Sequence, residues 1–235
     1  KSFGFPLFYF FDLQQYLQYR TDPSAGAFLF IRYDSATFAD RDSELTFDDR
    51  RIIKKRKNMS KKAAVLAVNP VNGMGLFQYL EAFYENKIPY TLFAVADGPV
   101  IRTNSGVALT ADDAIARLKG REDEYDALVF ARGDAMPVFA QHASEPWNVD
   151  LMEVLGTFGR KGKIMIGHCA AGMMFDFAGI ADGRRLAVHP LAKAAVQKGT
   201  ATDAPFEIDG NFYTAQEEHR IPELIGRIPV ITVLD

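Results

Sequence analysis

The sequence predicts a three-layer α/β sandwich with a mostly parallel sheet, and three observations carry that expectation. Short apolar runs of strand type recur at 63–68, 90–95, 127–132 and 163–168. The segments between them repeat their apolar residues at helical spacing, as do Leu76, Tyr79, Leu80 and Phe83. A chain of 235 residues with 48% hydrophobic content has enough apolar surface to cover both faces of such a sheet. Near-continuous apolar strands alternating with helices are the pattern of a parallel sheet buried on both sides.

In chain order, AAVLAV (63–68) opens the domain and GMGLFQYLEAFYENK (73–87) follows as a helix. YTLFAV (90–95) is the next strand. TADDAIARL (110–118) begins with the Thr-x-x-Asp of a capping box and is read as a helix. ALVFAR (127–132) is a strand, VDLMEVLGTF (149–158) a helix, and KIMIGH (163–168) a strand followed by a second helical run. RRLAV (184–188) and NFYTA (211–215) complete the strands.

Residues 1–58 differ from the rest. They hold nine of the 19 phenylalanines, an acidic stretch at 40–49 and the basic run RRIIKKRK at 50–57, with no sustained period. The chain begins with Lys1, whereas MSKKAAVLAV from Met59 reads as a protein start followed by a core strand. We therefore expect 1–58 to be an extension without its own fold, upstream of a natural start at Met59, and 59–235 to form one domain. The basic run reads as a solvated charge cluster in preference to a nucleic-acid or import patch.

Composition excludes several functions. A net charge of −3 and a pI near 5.9 give no footprint for nucleic acid. A single cysteine precludes intrachain disulfides and cysteine-rich zinc sites, and the four histidines lack ligand spacing. Residues 5–11 are too few to span a bilayer. NPVNGMG (69–75) lacks a P-loop lysine and a dinucleotide fingerprint. The expectation is a soluble cytoplasmic protein with no metal, no cofactor, and no nucleic-acid or membrane partner.

The lone cysteine, Cys169, lies in KIMIGHCAAGMMF. A strand delivers it to the C-terminal sheet edge, where ligand sites of such folds lie. Gly167 two residues before and Ala171 two after give the layout of a nucleophile elbow, whose tight turn brings strand and helix too close for larger side chains. The following helix N-terminus favours a thiolate. The competing reading is a buried small hydrophobe. His189 ends the 184–188 strand and is a base or thiolate partner at the same edge. Gly133 ends the 127–132 strand with a backbone N–H open to a ligand. Asp134 is read equally as a site acid or a turn cap, and Asn72 as an accessory amide. His168 points away from Cys169 along the strand and is read as packing. Glu217 and Glu218 are read as first-turn helix acids, and His219 as a minor candidate at the same edge. Met173, Met174 and Trp147 are read as packing residues.

GHCAAG, HPLAK and FARGD together resemble the ThiJ/PfpI superfamily, relatives of the class I glutamine amidotransferase fold, from about Lys61 to His219. The resemblance implies a flavodoxin-like sandwich, usually dimeric, with Cys169 as elbow nucleophile, His189 beside it, and the N–H groups of Gly133 and Ala170 as oxyanion donors. Many members carry a glutamate after the first strand that hydrogen-bonds the cysteine; here Gly73 or Gly75 stands in its place. Protease-like members have a histidine directly after the cysteine, whereas His168 precedes it. The preferred reading is a cysteine-dependent enzyme on small carbonyl or acyl substrates, of glyoxalase, deglycase or amidase/hydrolase type. The alternative is a non-enzymatic, redox-responsive stress or chaperone-like protein using the same thiol.

The domain reading predicts that a chain beginning at Met59 stays soluble and melts cooperatively within a few degrees of the full chain. Loss of solubility or a fall of many degrees, read by thermal denaturation, would make residues 1–58 part of the fold.

Overall fold

The chain is described by a computed structural model covering residues 62–132 and 136–228; the 1–58 extension, Gly133 and Asp134 lie outside the described residues. The elements in order are β1 (Ala63–Val68), α1 (Gly73–Glu85), β2 (Tyr90–Val95), β3 (Val100–Arg102), β4 (Ala108–Thr110), β5 (Asp113–Ala114), β6 (Ala127–Ala131), α2 (Met136–Gln141), α3 (Pro146–Arg160), β7 (Ile164–His168), α4 (Ala171–Phe177), β8 (Arg185–Ala187), β9 (Thr200–Thr202), β10 (Phe206–Asp209), β11 (Phe212–Ala215) and α5 (Ile221–Ile225).

The main sheet has the order β10-β11-β7-β6-β1-β2-β5, and only β10 runs antiparallel to its neighbour. β1 is fully buried along its length, paired on one side from Ala63–Tyr90 to Val68–Val95 and on the other from Ala63–Ala127 to Ala67–Ala131. Passing from β1 to β2 moves the chain one way across the sheet, and passing from β6 to β7 moves it the other way. Right-handed crossovers then place α1 and α3 on opposite faces, which makes the three layers. α1 packs with α5, and α3 packs with α4. The reversal between β1 and β6 opens a crevice at the C-terminal strand ends.

Two elements depart from the sequence expectation. The 110–118 helix does not form: Thr110 ends β4, Asp113–Ala114 is the edge strand β5, and Ile115–Arg117 is a single 3₁₀ turn. Edge pairing outcompetes the helical pattern, because the Asp112 backbone N–H donates to the Leu92 carbonyl and its carboxylate accepts the Leu92 N–H. The Asp113 carboxylate accepts the N–H of Ala114 next to it, so it caps no helix. The 184–188 strand forms as β8 but outside the main sheet, parallel to β9. β11 already pairs with β7 and β10 on its two sides, so no backbone edge remains for β8. β8 is instead attached through the Ala187 N–H, which donates to the buried Thr214 hydroxyl at 2.8 Å.

β9 is held by one buried carboxylate. Asp176, 3% exposed on α4, accepts the N–H groups of Gln197, Lys198 and Gly199 at 2.9, 3.0 and 2.7 Å. Asp176→Ala removes the acceptor of three backbone donors and should cost about 2–4 kcal/mol, with Asp176→Asn intermediate. Chemical denaturation measures both, and an alanine variant as stable as the wild type would contradict this account.

Candidate functional site

The parallel strands β1, β6, β7 and β11 all end at one edge, which brings Asn72, Arg132, Cys169 and the Glu217–Glu218 turn into one region. The β7–α4 turn is as tight as its small residues imply. A Cβ on Gly167 would lie 2.4 Å from the Ala171 Cβ, and one on Gly172 would lie 2.6 Å from Val188 Cγ1. At the apex Cys169 takes a positive φ of 58°, a left-handed backbone that costs a non-glycine residue roughly 1–2 kcal/mol. Two hydrogen bonds hold it there. The Cys169 N–H donates to the carbonyl of Ala215, the last residue of β11, at 3.0 Å. The Cys169 carbonyl accepts the N–H of His189 at 3.0 Å. The thiol is half-buried, and Ala170 follows as the N-cap of α4.

This backbone chain fixes His189 beside the elbow even though β8 lies outside the main sheet. The His189 ring Nδ1 accepts the Leu191 N–H at 3.3 Å, capping the 3₁₀ segment Pro190–Ala195. Its Nε2 faces Glu217 Oε1 at 3.5 Å, and the second oxygen of Glu217 lies 3.2 Å from Nδ1 of the exposed His219. Glu218, the next residue, accepts the Asn72 side-chain amide at 2.9 Å, while its carbonyl accepts the Gln78 amide at 3.1 Å. Asn72 also caps α1 by accepting the Gly75 N–H, and its own N–H donates to the Arg132 carbonyl. Sequence reasoning had Cys169, His189, Ala170, Asn72 and His219 at this edge but missed Glu217 and Glu218 as site carboxylates. The signal was an acidic pair directly after a strand that ends there.

Beneath the elbow, His168 is 1% exposed, as its packing role predicts. Its Nδ1 lies 3.5 Å from the Tyr79 hydroxyl, and its Nε2 has no hydrogen-bond partner among the described residues. A Cβ on Gly75 would lie 2.5 Å from that Nε2, whereas one on Gly73 would meet Thr103 at 3.2 Å. Position 75 therefore faces the His168 ring, and the imidazole occupies the space a side chain there would need. Glutamate at 75 cannot enter unless His168 moves. Burial pushes the His168 pKa down to about 4; the nearby Glu218 charge opposes that shift and Arg132 adds to it.

His168 is thus neutral in the folded state below its ordinary pKa of 6.5, where the unfolded chain binds the proton. Stability should be unaffected by this group above pH 6.5 and should fall as the pH drops from 6.5 toward 4, by about 3 kcal/mol in all. Urea midpoints at pH 7, 5.5 and 4 should show a shallower acid slope for His168→Leu than for wild type. Equal slopes would contradict a buried neutral imidazole.

Among the described residues no group of three His, Cys, Asp or Glu side chains could hold a metal, and no helix is long and apolar enough to cross a membrane. The DJ-1/PfpI family model matches residues 61–228. Protein ppBat of Bacteroides thetaiotaomicron is 65% identical over 170 residues, which cover 72% of this chain and 97% of that protein. A solved structure from the same organism, provisionally named protease I, is 64% identical with a TM-score of 0.69, covering 71% of this chain and 98% of that one. Drosophila melanogaster DJ-1beta shares the fold at 20% identity and a TM-score of 0.62, covering 73% of this chain and 89% of its own. The mostly parallel sheet with its flanking helices agrees with the fold of these matches, and the chain belongs to the DJ-1/PfpI family.

Proposed function

We propose that the protein is a cysteine-dependent enzyme acting on small carbonyl or acyl compounds, of glyoxalase, deglycase or amidase/hydrolase type. The observation that carries this reading is the half-buried Cys169 held in a left-handed backbone between Ala215 and His189. That conformation is unfavourable for a packing residue and is the one a nucleophile elbow uses to present its side chain at a strand end.

In the reaction the Cys169 sulfur donates an electron pair to the substrate carbonyl carbon, and the carbonyl electrons move onto oxygen. The Ala170 N–H follows the nucleophile directly and is the proposed donor to that oxyanion, together with the Gly133 N–H that the family resemblance implies. His189 takes the thiol proton and returns it to oxygen or to the leaving group. Since Nδ1 accepts the Leu191 N–H, the neutral ring carries its proton on Nε2, and Nδ1 is the basic atom. The Leu191 contact at 3.3 Å is long and yields readily to a thiol.

A relative provisionally named protease I raises peptide cleavage as one form of acyl chemistry. Against it, the histidine adjoining Cys169 is sealed in the core and contacts Tyr79, out of reach of a substrate. Small substrates are favoured instead.

The test is turnover of methylglyoxal and a panel of small esters and amides by wild type and Cys169→Ser. At least one compound should be consumed, with kcat/KM lowered about a thousandfold or more in the variant. Native Cys169 should also react with iodoacetamide at a single site before denaturation. Labelling without turnover of any compound would favour the redox-responsive reading, and labelling only after denaturation would return Cys169 to the core.

A further inference from the structure

We infer that Glu217 is the positioning residue of this site, an acid that orients the His189 ring and supports its proton exchange with Cys169. The inference rests on the cysteine-enzyme reading above and adds to it the carboxylate that the residues after β1 lack.

Four observations converge. Nε2 of His189 lies 3.5 Å from Glu217 Oε1, while Nδ1 accepts the Leu191 N–H at 3.3 Å, so the neutral ring carries its proton on the nitrogen next to the carboxylate. The backbone makes this meeting obligatory: the carbonyl of Ala215 holds Cys169, and Cys169 holds His189, so the residue two positions past Ala215 arrives beside the His189 ring. Both carboxylate oxygens are used, since Oε2 lies 3.2 Å from His219 Nδ1, and this fixes the plane of the group. The adjoining Glu218 is tied to α1 through Asn72 and Gln78, which pins the turn at its other side.

The chemistry follows from that geometry. When Nδ1 takes the proton of the thiol, the S–H bond breaks and the electron pair stays on sulfur. The ring becomes an imidazolium, and its Nε2 lies 3.5 Å from Glu217 Oε1. The proton returns from Nδ1 once the carbonyl oxygen or the leaving group has gained its electron pair. Glu217 keeps its own protonation state throughout and does not touch the substrate.

The pair is partly exposed, so it contributes little to stability and its loss can be read without unfolding the protein. Glu217→Gln keeps the size of the side chain and removes its charge. In full-length protein at pH 7 it should lower the rate of Cys169 alkylation by iodoacetamide about tenfold, with Tm within about two degrees of wild type. Glu217→Asp should recover part of that rate. Proton NMR of ¹⁵N-labelled protein should show a downfield His189 Nε2–H in wild type that moves upfield in Glu217→Gln and is lost in Glu217→Ala. An unchanged alkylation rate, or an Nε2–H resonance indifferent to both substitutions, overturns the assignment. These readouts need no substrate: if no compound turns over yet they respond as stated, the pair stands and the enzyme reading fails. If turnover depends on Cys169 but they do not respond, the enzyme reading stands and Glu217 is set aside.

Discussion

The backbone of Cys169 sits in a conformation that its side chain disfavours, and the rest of the edge is arranged around keeping it there. Its N–H is committed to the end of β11 and its carbonyl to the start of the His189 segment, so one residue ties three separate parts of the chain. Neither bond would form if β7 continued straight, because an extended Cys169 would direct these groups along the sheet. The turn in turn needs Gly167 and Gly172, where larger side chains would collide with Ala171 and Val188. Strain of roughly 1–2 kcal/mol is small against the fully buried β1, β6 and β7 beneath it. A rigid parallel core thereby supports a local conformation that no isolated peptide would hold.

The same edge shows an exchange between two positions that are far apart in sequence. Gly75 leaves space beside its backbone, and His168 fills it with a neutral imidazole. Neither choice is independent: a side chain at 75 excludes the ring, and without the ring a glycine at 75 would leave a void against Tyr79. A carboxylate side chain at 75 and an imidazole at 168 are thus mutually exclusive in this packing. The acidic groups come instead from the turn after β11, which is tied to the start of α1. Their anchors are the Asn72 amide, which also caps α1, and two imidazoles.

Most of the sheet was legible because β1, β2, β6 and β7 are continuous apolar runs whose burial leaves few alternatives. The elbow was legible for a steric reason, since small residues flanking one cysteine at a strand end have few other uses. The short edge elements were not. β5 has two residues and looks helical from its neighbours, and it became a strand only because Leu92 offered both a donor and an acceptor. The strand at 184–188 was recognised, but its place outside the sheet depends on β11 being paired on both sides, which is a property of other strands. Glu217 and Glu218 were seen as ordinary helix-start acids, and indeed Glu218 opens a 3₁₀ turn that leads into α5. Their convergence on His189 and on Asn72, 146 residues from Glu218, is set by strand order and has no local signature.

Carrying the acids on a turn and not on a helix changes what controls the site. A carboxyl on α1 would be placed by the helix itself, whose first turn is fixed by its cap. On the β11–α5 turn, each carboxylate keeps its position only through its partners, so the amide of Asn72 does two jobs at once. It accepts the Gly75 N–H to start α1 and donates to Glu218 to hold the turn. Arg132 joins the same group through its carbonyl, which accepts the Asn72 N–H at the end of β6. A chain of contacts therefore runs from the start of α1 to the turn beside His189, and through the His189 N–H to the cysteine carbonyl. A single asparagine thereby joins the end of β6 and the start of α1 to the turn after β11, and that turn meets His189, whose N–H holds the Cys169 carbonyl.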